Sequence, residues 1–365
     1  MELAVILGTR PEIIKLSPII RILEREALDY FILHTGQHYS YSMDRIFFEQ
    51  LELPKPKYSL NVGSGTHAEQ TGRMLIGIEK VLAEEKPSLV LTQGDTNTTL
   101  AGALAAVKLN MPVGHVEAGL RSFDWSMPEE INRVLTDRVS SLLFAPTDKA
   151  KVNLLREGIS DDRVFVTGNT VVDAVYQNLN LVDGNGILDN LDVDDGEYFL
   201  VTIHRQENAD NMIRFRGILE GLRLIHRHYG LPIIYPIHPR AAKRIREFKL
   251  NPEEVTLIDP VDYISFLKLE KEARVILTDS GGVQEEACIL HVPCVTLRDN
   301  TERPETLEVG ANMLAGADPK SILEKVGIML ERSRDWANPF GDGRAGERIV
   351  KIFINRIMNN TNFEL

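Results

Sequence analysis

The stretch LAVILGTRPEIIKLSPIIRILEREALDYFILHT (residues 3–35) contains two short apolar runs, separated by a segment with the periodicity of a helix. The runs LAVILG (3–8) and YFILHT (30–35) have the length and the β-branched content of buried strands. Between residues 12 and 26, apolar side chains recur every three or four positions, which predicts an amphipathic helix. A strand, a helix and a second strand in this order predict a parallel sheet with both faces covered.

This alternation continues in two series, which the stretch LVDGNGILDNLDVDDGE (181–197) interrupts because it is rich in Asp, Asn and Gly and has little periodicity. The further strand-like runs are SLVLTQ (88–93), MPVGHV (111–116) and SLLFAP (141–146) in the first series, and YFLVTIH (198–204), LPIIYPIH (231–238), VTLIDP (255–260), ARVILTDS (273–280) and VPCVTLRD (292–299) in the second. We therefore predict the α/β class, with two doubly wound parallel-sheet domains at residues 1–170 and 171–345. A final helix within 346–365 can pack back on the first domain.

The composition limits the classes of function. The chain has 365 residues, of which 43% are apolar and 26% charged, so it can form sizeable cores and disorder is excluded. A net charge of −12 gives no general attraction to nucleic acid or to anionic membranes. Because no apolar run approaches the roughly 18 residues of a membrane span, we expect a cytoplasmic protein. Cys288 and Cys294 are too few for a disulfide framework or a thiolate metal site and are expected to be reduced core residues.

Polar and charged residues follow the predicted strands of the first domain. They are Arg10 and Lys15 in GTRPEIIK, Asp95 in QGDT, Glu117 in HVEAGLRS, and Glu129 with Glu130 in MPEEINR. Ligands of parallel sheets bind beyond the carboxyl ends of the strands, so these positions predict an acid and base site. Burial beside other carboxylates would raise at least one pKa towards neutrality. As structural alternatives, Asp95 can cap the following helix and Glu129 can simply favour a helix dipole.

The second domain contains a predicted phosphate site. The motif ILTDSGGVQEEA reads as a strand, a glycine turn and a helix, so the amides around Ser280, Gly281 and Gly282 should point at an anion. Gln284, Glu285 and Glu286 are expected in the first turn of that helix, where one carboxylate can accept hydrogen bonds from vicinal ribose hydroxyls. The alternative is the ordinary preference of helix starts for acidic residues.

Further cations are expected near that turn. His204 and Arg205 in TIHRQEN end a predicted strand and should face the same crevice, although an isolated histidine is more often structural. Arg298 and Arg303 in RDNTERPE can either neutralise a phosphate or form salt bridges with neighbouring carboxylates.

The sequence gives no support for a cofactor. It contains no Tyr-x-x-x-Lys, HExxH, paired CxxC or GxxxxGK[ST] motif, and GSGTHA (63–68) is a weak dinucleotide fingerprint without the acidic residue that should follow. We therefore expect neither NAD nor a metal ion.

Eight motifs spread across nearly the whole chain resemble the non-hydrolysing UDP-N-acetylglucosamine 2-epimerase family. They are GTRPEIIKLSP, QGDT, HVEAGLRS, PEEINR, VTGNT, DSGGVQEEA, RDNTERPE and NPFGDG. The resemblance implies two Rossmann-like domains facing a deep cleft, the GT-B architecture, with the sugar chemistry on the N-terminal side and UDP bound by the C-terminal domain. It also implies a homodimer that interconverts UDP-GlcNAc and UDP-ManNAc for polysaccharide biosynthesis, by elimination of UDP and its re-addition to a 2-acetamidoglucal.

The resemblance carries the family's roles to matching positions. The catalytic set is Arg10, Lys15, Asp95, Glu117, Glu129 and His204, and the UDP-binding set is Ser280, Gly281, Gly282, Glu286 and Arg303. Bacterial members bind a second UDP-GlcNAc as an activator, and Gln37, Glu129, Arg205 and His238 match that allosteric set. A second glutamine of this set is Ser40 here, and its arginine has no clear counterpart in NVGSGTHAEQ.

Four rival functions remain at this point. A related branch acts on UDP-2,3-diacetamido-glucuronic acid, a hydrolysing relative releases ManNAc and UDP, and a GT-B glycosyltransferase would need an acceptor. A nucleotide-sugar sensor would bind UDP without chemistry, but it has no need of three converging carboxylates.

Overall fold

The computed structural model describes residues 2–37 and 41–358, which divide into two compact units. Unit 1 comprises the described residues of Met1–Gln177 and Phe340–Leu365, and unit 2 comprises Asn178–Pro339. No helix in the described part of the chain is long and apolar enough to span a bilayer.

The described strands of unit 1 form one parallel sheet. They are β1 (Leu3–Leu7), β2 (Tyr30–His34), β3 (Tyr58–Ser59), β4 (Leu89–Gln93), β5 (Val113–Val116), β6 (Leu142–Ala145) and β7 (Val164–Val166). Their order is β3-β2-β1-β4-β5-β6-β7, and Leu3 of β1 pairs with Tyr30 on one side and Leu89 on the other. The strand order reverses between β1 and β4. In open α/β sheets, ligands bind at such a reversal, beyond the carboxyl ends of the strands.

Helices connect these strands and cover the sheet. They are α1 (Arg10–Arg25), α2 (Tyr41–Gln50), α3 (His67–Glu85), α4 (Asn97–Lys108), α5 (Pro128–Val139), α6 (Asp148–Arg156) and α7 (Thr170–Val182). Local signals fix several starts: Thr66 and Glu69 form a capping box before α3, and Thr147 caps α6. The sheet residues Ala4, Ile6 and Val90 pack with residues of α3 and α4 in a core that excludes water.

Unit 2 repeats this arrangement. Its described strands are β8 (Phe199–Thr202), β9 (Ile233–Pro236), β10 (Thr256–Ile258), β11 (Val275–Thr278), β12 (Cys294–Thr296) and β13 (Asn312–Leu314). Its helices are α8 (Ile187–Leu191), α9 (Gln206–Ala209), α10 (Met212–Tyr229), α11 (Pro239–Glu247), α12 (Tyr263–Lys271), α13 (Gly281–Ile289), α14 (Pro304–Glu308) and α15 (Pro319–Glu331). All strand pairs are parallel in the order β10-β9-β8-β11-β12-β13, so the order reverses between β8 and β11.

The last described helix, α16 (Ala345–Met358), belongs to unit 1 and packs against α1. The Asp173 carboxylate on α7 accepts hydrogen bonds from the amides of Ala345 at 3.1 Å and Gly346 at 2.8 Å. These bonds satisfy two donors that the first turn of a helix leaves without intrahelical acceptors.

The α/β class with two parallel sheets is confirmed, and the strands missing from the sequence prediction are short. β3 and β7 are the edges of the first sheet and β13 is an edge of the second. The sequences of these three strands, YS, VFV and NML, lack the longer apolar runs that mark central parallel strands. Cys288 and Cys294 are buried free thiols, as expected.

Candidate active site

The turn between β1 and α1 lies at the strand-order reversal of unit 1. A Cβ atom on Gly8 would lie 1.9 Å from Thr35 Oγ1 and 2.5 Å from Thr98 Oγ1, so the close approach of these hydroxyls requires glycine. Arg10 is the first residue of α1, and its Cζ atom lies 4.9 Å from the ring centroid of Phe47. The turn therefore places the Arg10 guanidinium at the carboxyl edge of the sheet, against an aromatic ring.

The same turn is held by Glu12, which is not among the residues predicted from sequence. Its buried carboxylate accepts hydrogen bonds from the Gly8 amide at 2.9 Å and the Thr9 hydroxyl at 2.8 Å. The hydroxyls of Thr96 at 2.8 Å and Thr99 at 3.2 Å donate to its other oxygen. Burial raises the pKa of Glu12 despite these four donors. Glu12 thus ties the start of α1 to the start of α4 across the β1 and β4 ends.

Glu117 follows β5 and is fixed by a buried ion pair. Its Oε1 lies 2.6 Å from Lys15 Nζ, and both side chains are almost completely buried. Gln93 Nε2 donates to its Oε2, and Asn169 Nδ2 lies 3.5 Å from Oε1. The backbone of Glu117 has a φ of 71°, in the left-handed region that non-glycine residues rarely adopt. Such backbone strain is common at functional sites. Here it directs the Glu117 carboxylate towards Lys15 of α1.

Asp95 follows β4 and pairs with Arg133 of α5. Its backbone carbonyl accepts a hydrogen bond from Asn132 Nδ2 at 2.9 Å. The capping alternative for Asp95 is wrong, because the N-cap of α4 is Thr96, whose hydroxyl accepts from the Thr99 amide. The Asp95 side chain is 29% exposed, so it remains accessible to a substrate.

Gly94 directly precedes Asp95 and lies close to the Glu117 side chain. A Cβ atom on Gly94 would lie 3.7 Å from Glu117 Oε2, and the Gly94 carbonyl accepts from His115 Nε2 at 2.8 Å. The other ring nitrogen of His115 lies 2.6 Å from Asp137 Oδ1. The structure therefore brings the carboxyl ends of β4 and β5 together, as the motif positions predicted.

The two glutamates at the start of α5, Glu129 and Glu130, differ in burial and in contacts. Glu130 is buried and accepts hydrogen bonds from the amide and the hydroxyl of Ser122, both at 3.0 Å, and from the Phe123 amide at 3.0 Å. It also pairs with Arg133, so it organises the preceding loop. Glu129 is half-buried in the first turn of α5 and remains the candidate of the two for contact with a substrate.

At the strand-order reversal of unit 2, the buried Asp279 holds the segment after β8. It accepts hydrogen bonds from the His204 amide at 3.1 Å, the Arg205 amide at 3.1 Å and Asn208 Nδ2 at 3.1 Å. His204 Nδ1 lies 3.2 Å from Asp279 Oδ1, which leaves Nε2 on the outer side of the half-exposed ring. Burial alone would raise the pKa of Asp279, but the contacts with His204 and Asn208 outweigh it and the pKa is lowered.

Two further predicted residues lie beside His204. The rings of His204 and His238 have centroids 6.2 Å apart, and His238 Nδ1 caps α11 by accepting from the Arg240 amide at 3.2 Å. Arg205 Nη2 donates to Glu302 Oε1 at 3.0 Å. The structure therefore groups His204, Arg205 and His238 at the carboxyl edge of the second sheet.

The glycine turn before α13 differs in one detail from the prediction. Ser280 is the N-cap, and its amide donates to Thr278 Oγ1 at 2.9 Å rather than outward. The first intrahelical bond runs from the Gln284 amide to the Ser280 carbonyl, so the amides of Gly281 and Gly282 precede the helical ladder. These two amides are therefore the candidates for the predicted anion site.

The acidic residues of α13 lie beyond its first turn, because the helix already begins at Gly281; their predicted place in the first turn is wrong. Glu285 is buried and accepts from Arg303 Nε at 2.7 Å, while Arg303 Nη1 lies 3.5 Å from Glu302 Oε1. Arg303 thus forms the salt bridge that was the alternative to phosphate binding. Glu286 is 8% exposed.

The residues matched to a second substrate site lie in different units. Gln37 of unit 1 accepts from the Thr98 amide at 3.0 Å and its hydroxyl at 2.9 Å, and its carbonyl accepts from Gln70 Nε2 at 2.7 Å. Arg205 and His238 belong to unit 2. Ser40 lies outside the described residues.

Known proteins match this chain over most of its length. A family model described as UDP-N-acetylglucosamine 2-epimerase matches residues 21–354. A UDP-N-acetylglucosamine 2-epimerase of Methanocaldococcus jannaschii is 61% identical, over 96% of this chain and 98% of that protein. The UDP-2,3-diacetamido-2,3-dideoxy-D-glucuronate 2-epimerase of Pseudomonas aeruginosa is 44% identical, over 96% of this chain and 99% of that protein.

A crystal structure of the M. jannaschii UDP-GlcNAc 2-epimerase in complex with UDP-GlcNAc and UDP superimposes with a TM-score of 0.93. The match covers 97% of this chain and all of that one, at 61% sequence identity. The two Rossmann-like units, the ordered motifs and the extent of these matches give one conclusion: this chain belongs to the UDP-N-acetylglucosamine 2-epimerase family, and its members are isomerases.

Proposed function

We propose that the protein reversibly converts UDP-GlcNAc into UDP-ManNAc by inverting C2 of the sugar. The observation that carries this proposal is the Glu117 carboxylate, which Lys15 and Gln93 fix at the carboxyl edge of the first sheet. The M. jannaschii relative, named for the same reaction, supports the choice of substrate.

The chemistry explains the need for such a group. C2 is not next to a carbonyl, so its hydrogen is too weakly acidic for simple removal and return. In an elimination, a carboxylate takes the C2 proton while the C1–O bond breaks and UDP leaves with the electron pair, giving 2-acetamidoglucal. UDP then adds back to C1, and a proton is delivered to the opposite face of C2.

Asp95, Glu117 and Glu129 are the candidates for acid and base. Glu117 forms an ion pair with Lys15, and Asp95 forms one with Arg133, so both carboxylates are held in place by a neighbouring cation. Lys15 also balances the charge when the proton moves, because its ammonium lies 2.6 Å from the Glu117 oxygen.

We assign the binding of UDP to unit 2. The amides of Gly281 and Gly282 and the His204 ring are the donors for the diphosphate, whose negative charge grows as the C1–O bond breaks. Ser280 and Arg303 complete this set, Glu286 is assigned to the ribose hydroxyls, and Arg10 of unit 1 is a further cation for the leaving group. Arg303 reaches a phosphate only if its contact with Glu285 is shared or released.

We further propose that the reaction needs neither NAD nor a metal ion. Among residues 2–37 and 41–358, no group of three or more His, Cys, Asp and Glu side chains is placed to hold a metal ion. Elimination and re-addition of UDP cause no net oxidation or reduction of the sugar, so the reaction requires no hydride acceptor. Prolonged dialysis against EDTA should leave the turnover unchanged.

The family resemblance also leads us to propose a cytoplasmic homodimer that serves polysaccharide biosynthesis. Light scattering should then give about twice the chain mass of 41.1 kDa. A second UDP-GlcNAc acting as an activator through Gln37, Arg205 and His238 would appear as sigmoidal dependence of the rate on substrate concentration.

Proton NMR of the protein with UDP-GlcNAc in D2O tests the reaction directly. We expect a new UDP-ManNAc anomeric signal together with deuterium at C2. Free ManNAc would instead indicate the hydrolysing reaction. An unchanged spectrum would contradict the proposed conversion of UDP-GlcNAc. The 44% identical P. aeruginosa relative makes UDP-2,3-diacetamido-glucuronic acid the second candidate substrate, to be offered in a parallel sample.

A further inference from the structure

A buried carboxyl group lies next to the proposed ribose ligand and is not used in the reaction. Glu270 on α12 is 0% exposed. Within the described part of the chain, no N–H or O–H group donates a hydrogen bond to either of its carboxyl oxygens. A buried carboxylate without a donor would be very costly, so the group that faces it decides its charge.

The group that faces Glu270 is the carboxyl of Glu286 on α13, the helix that packs against α12. Two other titratable groups are near. The Tyr198 hydroxyl, at the entry to β8, donates to the Leu269 carbonyl at 2.6 Å, and the Cys294 thiol lies on β12. Neither is positively charged, so neither can neutralise a pair of carboxylates.

The two lysines of α12 form ion pairs with other carboxylates. Lys268 pairs with Glu272 at 3.1 Å, and Lys271 pairs with Asp183 at 2.5 Å. The helix α8 also packs against α12, and its titratable residue, Asp189, is exposed and acidic. The described surroundings of Glu270 therefore supply no positive charge.

Glu270 is buried without a donor and faces a second carboxyl group, and two such groups repel each other when both are ionised, so they share one proton. The proton belongs on Glu270, since that side chain is fully buried whereas Glu286 is 8% exposed and can keep its charge near solvent. Burial, together with the neighbouring Glu286, raises the pKa of Glu270 well above its ordinary value.

We propose that Glu270 is a positioning residue, a neutral carboxylic acid that donates a hydrogen bond to the Glu286 carboxylate and holds it in the orientation that accepts the ribose hydroxyls of UDP. This inference rests on the proposed binding of UDP by unit 2. A donated hydrogen bond occupies one lone pair of Glu286 and limits its rotation, so the remaining acceptor positions are preorganised for a vicinal diol.

Calorimetric titration with UDP compares three variants with the native protein. Glu270→Gln keeps a donor of similar shape and should bind UDP within about twofold of the native affinity. Glu270→Met keeps the volume but removes the donor, so its Kd should rise by about tenfold. The exposed Glu253→Gln in the same unit is the control and should change nothing. With UDP-GlcNAc, Glu270→Met should raise KM far more than it lowers kcat.

The pH dependence gives a readout that a merely structural role would not move. In the native protein, UDP affinity should fall as the pH rises and Glu270 loses its proton, and this part of the fall should be missing from the profile of Glu270→Gln. Folding stability should respond in the same sense. Because the pKa of Glu270 is raised on folding, its contribution is complete below the ordinary value of 4.5 and is lost as the pH rises through the folded pKa.

These readouts separate the two proposals. If the native protein binds no UDP, the assignment of unit 2 fails and with it the role in ribose binding, whereas the stability profile still reports the shared proton. Equal UDP affinities for Glu270→Gln and Glu270→Met would overturn the positioning role. If folding stability depends on pH in Glu270→Gln as it does in the native protein, Glu270 and Glu286 do not share a proton. This conclusion holds even if Glu270→Met does not fold.

Discussion

Glu117 combines three features that stability alone does not favour: burial, a charged state, and a left-handed backbone with a φ of 71°. Replacing a buried ion pair by well-packed apolar side chains is often neutral or stabilising, so the pair with Lys15 is better explained by chemistry than by folding. Glu117 is therefore the first of the proposed acid and base residues to test.

We expect Glu117→Gln to reduce kcat by a factor of roughly 100 or more, because an amide cannot accept the C2 proton. UDP affinity should stay within a few fold, since the proposed UDP-binding groups other than Arg10 lie in unit 2. Turnover is measured by chromatography of the two UDP sugars, and UDP binding by calorimetry.

Stability must be controlled in this experiment, because the substitution leaves Lys15 charged and buried without its carboxylate. The loss of one partner of a buried pair typically costs about 3–5 kcal/mol. The double variant Lys15→Met with Glu117→Gln should recover stability without recovering turnover. Turnover within a few fold of native in Glu117→Gln would remove Glu117 from the acid and base set.

The site residues differ in how readily the sequence reveals them. Asp95 and Glu117 directly follow apolar strand runs, a position that can be recognised in the sequence. Asp279 also directly follows such a run and was recoverable from the same signal, but its partner His204 lies 75 positions away, and this separation hides the pair. Glu12 was harder to recognise, since a glutamate in the first turn of a helix usually has only a local role.

At the scale of elements, most of the proposed site residues lie at junctions between strands and helices. The central strands were predictable because parallel strands buried on both faces read as continuous apolar runs. β3, β7 and β13 consist of YS, VFV and NML, and no longer apolar run extends them, in contrast to the similarly short β10 and β12. The true start of α13 was likewise hidden, because both Ser280 and the glycines after it are compatible with a turn or a helix start.

The β1–α1 junction gives a prediction about its packing. Gly8→Ala should lower the free energy of unfolding by about 1–3 kcal/mol and reduce turnover, because the new methyl group would displace the hydroxyls of Thr35 and Thr98. Gly72→Ala within α3 is the matched control, since nothing lies within 4 Å of its added methyl group. That control should stabilise the protein by about 0.5–1 kcal/mol, the difference in helix propensity. Urea unfolding of both variants measures these changes, and equal stabilities would contradict the argument from close packing.

At the scale of the whole molecule, each unit contains a buried carboxylate that ties distant segments together. In unit 1, Asp137 lies 2.6 Å from His115 Nδ1 and 2.8 Å from Arg121 Nη2. In unit 2, Asp279 has the corresponding role beside His204. Burial would raise the pKa of both groups, but the facing donors and cations outweigh it, so both pKa values are lowered from 3.8. The acid tolerance of the protein should therefore depend on these two carboxylates.

The sign of that dependence follows from linkage. A carboxyl group whose pKa is lowered on folding contributes stability above its unfolded pKa, and the contribution is lost as the pH falls below 3.8 and the unfolded chain takes up the proton first. Asp137→Asn should therefore flatten the acid decline of the urea midpoint. It should also lower the midpoint near neutral pH, by an amount equivalent to about 3–5 kcal/mol, because the buried Arg121 loses a counter-charge and His115 loses a hydrogen-bond partner. Asp279→Asn should act in the same direction, while the exposed Asp335→Asn should follow the native curve throughout. An acid decline as steep in both buried-site variants as in the native protein would show that other carboxylates set the acid limit.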